Sequence, residues 1–160
     1  MRISIAFFTF LLGLSVSVAQ DTGTSTTATL HQLNVIVDSV RAGKVRRVEI
    51  LQIPPELYTN VAITPDVLER NYYYKLTIRD IQRTSYEGGM ATALASVSAS
   101  AGGEMPDLRW GIIFFDEVDK RIGSLYFDSA GTRGAIDSMP VAFSGDLARW
   151  LRQNFQDVFK

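Results

Sequence analysis

LRWGIIFFDEVDKRIGSLYFDSAGTRGAIDSMPVAF, residues 108–143, is the stretch that decides the fold. Three runs rich in aromatic and branched side chains, 108–115, 121–128 and 133–143, are separated by polar turns at 116–120 and 129–132. Asp137-Ser138 marks a further reversal inside the third run. Such side chains suit a pleated surface, and Asp, Ser and Gly suit tight reversals, so the stretch reads as a meander of antiparallel strands. Beyond it, Ser144 reads as the cap of a closing helix, with Asp146 in the first turn and Leu147, Trp150, Leu151 and Phe155 sharing a face.

Upstream the pattern changes. In 86–103, Gly88-Gly89 interrupts, and Met90, Leu94 and Val97 line a weak helical face among alanines and serines; a mobile loop is the other reading. Residues 72–79 alternate with period two: Tyr72, Tyr74, Leu76 and Ile78 fall on one side, Tyr73, Lys75, Thr77 and Arg79 on the other. That is a strand with one core face. Thr64-Pro65-Asp66 opens a short helix ending near Asn71. In 45–53, Val48 and Ile50 lie on one face and Leu51 and Ile53 on the other, a strand covered on both sides and stopped by Pro54-Pro55. Before it, Thr29 reads as the cap of a helix carrying Leu30, Leu33, Val37 and Val40 and closed by Gly43.

Strands and helices do not alternate as a doubly wound parallel sheet requires, and no internal repeat points to a solenoid. The order predicts an α+β domain: a mainly antiparallel sheet of about five strands, helices packed on one face, and a C-terminal three-strand meander followed by the closing helix. Residues 29–160 form that single domain, and the polar, small-residue tract 20–28 reads as a flexible linker.

The first 19 residues read as a signal peptide. Arg2 precedes an apolar run from Ile3 to Leu14, and small residues at Ser17 and Ala19 suit a signal peptidase. An uncleaved anchor is the other reading, although the segment is marginal against the roughly 20 apolar residues a bilayer core requires. The chain has no cysteine, which excludes thiol catalysis and cysteine-held metals and favours a bacterial periplasmic or secreted setting over an animal disulfide scaffold. With Arg2 removed in the leader, 17 acidic side chains slightly outnumber the basic ones. That balance argues against nucleic acid and against a membrane surface as partner after signal removal.

Few residues suggest chemistry. His31 is the only histidine and lacks partners for a triad or a metal centre, so no metal and no cofactor is expected. Asp116, Glu117 and Asp119 form an acidic turn; two carboxyls held apart can supply a proton donor and a base, but the spacing lacks a calcium loop's pattern. Arg41, Lys44, Arg46 and Arg47 form the densest basic group, suited to a helix C-terminus or to an acidic partner. Tyr73, opposite Tyr72 and Tyr74 on its strand, is the best candidate for an exposed aromatic contact. Trp110 and Trp150 read as buried anchors. Phosphate loops, nucleophile elbows and zinc helices have no match.

The expectation from sequence is an exported, non-catalytic binding module of the bacterial envelope that docks a protein partner, as an inhibitor, immunity-like or accessory protein does. An envelope hydrolase using carboxylates near Asp116, Glu117 and Asp119 is the alternative, and a small-molecule carrier is a third possibility.

Overall fold

The computed structural model describes residues 22–155 and 157; the leader expected at 1–19 lies outside them. Helix α1 spans Thr22–Arg41, followed by strand β1 (Arg47–Gln52), helix α2 (Pro65–Asn71), strand β2 (Tyr74–Arg79) and a short 3-10 turn at Ile81–Arg83. Then come α3 (Tyr86–Ala95), β3 (Ser98–Ala101), β4 (Leu108–Phe115), β5 (Arg121–Asp128), β6 (Arg133–Ile136), β7 (Met139–Ser144) and α4 (Leu147–Phe155). All seven strands join one sheet in the order β2-β1-β4-β5-β6-β7-β3, and every pairing is antiparallel.

The α+β class and the meander stand as expected, with seven strands where the sequence suggested about five. Two small causes account for the difference. The third aromatic run divides at Asp137, whose backbone adopts a left-handed φ of 51°, into β6 and β7. The added edge strand β3 reads Ser-Ala-Ser-Ala, side chains too small to carry an alternating apolar signal. Residues 86–95 are helical and the chain then turns into this strand, so the 86–103 segment is half helix and half sheet edge.

Two helix boundaries also differ from the sequence reading. Thr29 is a buried mid-helix residue rather than a cap, its hydroxyl 3.2 Å from Met139 Sδ, and α1 begins at Thr22. Ser144 ends β7 with its hydroxyl 2.7 Å from that of Ser98, and α4 starts only after Gly145 and Asp146.

The sheet is covered on both faces. On one face α1 contributes Leu33, Ile36 and Val40, α3 Met90 and Leu94, and α4 Leu147, Leu151 and Phe155, all packed on Val48, Ile50, Trp110, Ile112, Phe114, Leu125 and Phe127. Rather than all helices packing on one face as expected, α2 is, among the described residues, the helix on the other face, where Leu68 and Ile63 meet Leu51, Leu108, Ile113 and Tyr126. Each large apolar side chain removed from water there contributes about 1.5–3 kcal/mol. The double cover explains why β4 is buried almost throughout rather than alternating. Between β5 and β7 the strands approach closely at Gly134, where a methyl group would sit 1.8 Å from the carbonyl oxygen of Tyr126.

Candidate functional site

The acidic turn and most of the basic group, read from sequence as separate features, meet at one corner of the sheet. Antiparallel pairing sets Arg47 of β1 against Phe115 of β4, immediately before the β4–β5 hairpin. Arg47 Nε then donates to Asp119 Oδ1 at 2.7 Å, its guanidinium also bonds Glu49, and its Cζ lies 3.6 Å from the Phe115 ring centroid. The hydrogen bond and charge of Arg47 hold the Asp119 carboxyl below its usual value. Asp116 Oδ1 accepts the backbone N–H groups of Val118 (3.0 Å) and Lys120 (2.9 Å), which fixes the hairpin turn.

A depression of about 460 Å³ opens here, with Arg46, Arg47, Arg79 and Arg83 facing Asp80, Asp116, Glu117 and Asp119. Arg46 Nη1 donates to Gln82 Oε1 at 3.2 Å. Among the described residues Arg46, Arg79 and Arg83 have no carboxylate within 4.0 Å, although Arg79 lies near enough to Asp119 to help lower its pKa. Lys44 borders an adjoining hollow of about 370 Å³ with Arg46, Asp116 and Glu117. Arg41, exposed in the last turn of α1, lines neither. Arg79 and Arg83 were not singled out from sequence; the only signal was Arg79's place on the solvent side of its strand.

Tyr73 does not join this corner. Its N–H donates to Gln52 O at 2.9 Å, at the far end of β1 from Arg47, which five strand steps place about 17 Å away. It is 63% exposed and its ring meets that of Tyr74 edge to face.

A second polar cluster, absent from the sequence reading, joins α2 to the sheet. Tyr126, buried on the α2 side of β5, donates its hydroxyl hydrogen to Glu69 Oε1. Arg121 donates from Nη2 to Tyr126 Oη at 2.7 Å and from Nη1 to Glu69 Oε2 at 3.1 Å. Nearby, Ser124 Oγ donates to Asp137 Oδ1 at 2.8 Å. The cluster borders an open cavity of about 420 Å³. Its own members satisfy one another, and its clearest effect is to pin α2 to the sheet.

Burial first, and the bond to Glu69 second, push the Tyr126 phenol above its ordinary pKa. The folded chain therefore holds this proton more tightly than the unfolded chain. Its contribution to stability is whole below about pH 10 and falls as the pH rises beyond that, by at most about 1.4 kcal/mol per pH unit. Tyr126→Phe is expected to lose about 1–2 kcal/mol near neutrality and to show a shallower alkaline decline, which urea unfolding at both pH values reads. Parallel alkaline declines in the two proteins would refute this role.

Comparison with family models, curated proteins and solved structures returns no match for this chain. Among the described residues, no group of three or more histidine or carboxylate side chains is placed to hold a metal ion, and no helix is long and apolar enough to cross a membrane.

Proposed function

We propose that the protein is an exported, non-catalytic binding module of the bacterial envelope that docks a protein partner at the mixed-charge corner. The observation that carries this reading is the depression where the hairpin acids meet Arg46, Arg79 and Arg83, arginines that among the described residues have no carboxylate within 4.0 Å. Interleaved charges of both signs give little long-range field for a polyanion, but they supply register and partner choice at a protein interface. Planar guanidinium forks suit carboxylates of a facing surface.

The same geometry weakens the hydrolase reading. A carboxylic acid that donates a proton near neutral pH needs its pKa raised. Asp119 is shifted the other way by Arg47, and one oxygen of Asp116 is occupied by two backbone N–H groups.

Crosslinking pull-downs from envelope extract at low salt test the proposal. The wild-type protein is expected to recover a defined partner that dissociates as salt rises, and the Arg79→Glu, Arg83→Glu double variant to lose it. Recovery of no partner by wild type, or equal recovery by the double variant, overturns the reading.

A further inference from the structure

The sheet stops at β2, and no described strand pairs with its outer side. An edge strand presents unpaired backbone N–H and C=O groups in a row, a template for another extended chain. Along β2, Ile78 is buried and Tyr74 and Leu76 half-buried, whereas Lys75, Thr77 and Arg79 are exposed.

The two ends of this edge differ in chemistry. At its start stand exposed Tyr72 and Tyr73, and the chain leaves β1 beside them, because Gln52 pairs with Tyr74, to form a segment whose Leu57, Tyr58 and Val61 are exposed. At its finish stand Arg79 and Arg83, both on the mixed-charge depression. Lys75, midway, is already matched by Glu49 at 2.9 Å, whereas among the described residues Arg79 and Arg83 have no carboxylate within 4.0 Å and are the cations of this edge left to meet an added carboxylate. The opposite sheet edge, β3, has four serine and alanine residues and no such polarity.

We infer that β2 accepts an extended acidic segment of the partner protein as an eighth, antiparallel strand. Its N-terminal half carries carboxylates opposite Arg79 and Arg83, and its C-terminal half carries aromatic or aliphatic side chains over Tyr72 and Tyr73. The antiparallel direction follows the rest of the sheet and the better-aligned hydrogen bonds of that arrangement. This inference rests on the docking reading above and names the partner's chemistry.

The probe is a synthetic peptide, Asp-Glu-Asp-Thr-Val-Thr-Val-Thr-Leu-Phe, titrated into the whole protein by calorimetry, with amide hydrogen exchange followed in parallel. Expected results are slowed exchange confined to β2, binding at least about tenfold tighter than that of the same sequence reversed, and a further loss of about tenfold with Arg79→Glu. A peptide with its central Thr replaced by Pro keeps every charge, cannot complete the ladder and is expected to bind far more weakly. Equal binding by the forward, reversed and proline peptides means charge attraction without strand pairing and overturns the inference. Absence of peptide binding overturns it too, and if the pull-down still shows charge-dependent capture, the docking reading survives alone. A dimer in sedimentation with β2 protected before any peptide is added assigns the edge to a second copy and also overturns it.

Discussion

Gly134→Ala is expected to destabilise the fold by on the order of 3 kcal/mol, the upper part of the range for forcing an atom into a packed interior. Gly134 lies in β6 between Phe127 of β5 and Val141 of β7. An added Cβ would meet the carbonyl oxygen of Tyr126 at 1.8 Å and the Phe143 ring at 2.8 Å. The first neighbour is backbone, so relief requires two strands to part rather than one side chain to turn. Total stability of such a domain is about 5–15 kcal/mol, which makes the loss a large fraction. Urea unfolding is expected to show a lower midpoint with an unchanged slope. Gly88→Ala is the control: no atom lies within 4 Å of the new methyl group, and in α3 the change is expected to stabilise by up to about 1 kcal/mol. Equal midpoints for wild type and Gly134→Ala would show that the close approach is not required.

The second large effect is expected at Arg109, a buried cation with an 8% exposed side chain. It sits at a register shift in β4 and donates from Nε and Nη2 to Asp107 Oδ2 (2.9 and 2.6 Å) and from Nη1 to the carbonyls of Pro54 (3.1 Å) and Leu57 (2.8 Å). The other Asp107 oxygen accepts the N–H of Ile63 at 2.9 Å. One ion pair therefore holds both ends of the excursion between β1 and α2. Arg109→Ala removes the guanidinium donor from the Pro54 and Leu57 carbonyls and from Asp107 Oδ2, and is expected to cost about 3 kcal/mol. Arg109→Lys keeps the charge without the planar fork and is expected to recover only part of it. Limited proteolysis within 55–62 is expected to accelerate before global unfolding. Unchanged proteolysis and melting would show that the segment is held by other means.

The strands and helices that could be read in advance were those whose side chains report burial directly. Apart from Arg109 and Ser124, the buried residues of 108–128 are apolar, and Pro65 and Asp66 mark the start of α2 as helix dipole chemistry predicts. Edge strand β3 escaped because serine and alanine satisfy helix, loop and strand alike. The charged corner was half legible. Both charge groups were visible, but the contact between Arg47 and Asp119 spans 72 positions and depends on β1 lying beside β4, which no local pattern encodes. The Tyr126 cluster was hidden for a related reason. Strand alternation sets Tyr126 on the face opposite Leu125 and Phe127, but its meeting with Glu69 spans 57 positions and depends on α2 packing beneath β5, which no local pattern encodes.

The strand order bears on how the chain is made. β4 to β7 follow one another through short turns, yet β1 fills the gap between β2 and β4, joining Arg47 to Phe115. A nascent polypeptide that has delivered everything up to α3 still lacks the neighbour that closes this seam, and loops of that length assemble slowly. The early half must therefore wait, with β1 paired at most on one side, until the later half arrives to shelter it, which makes this interval the window in which a holding chaperone would matter most.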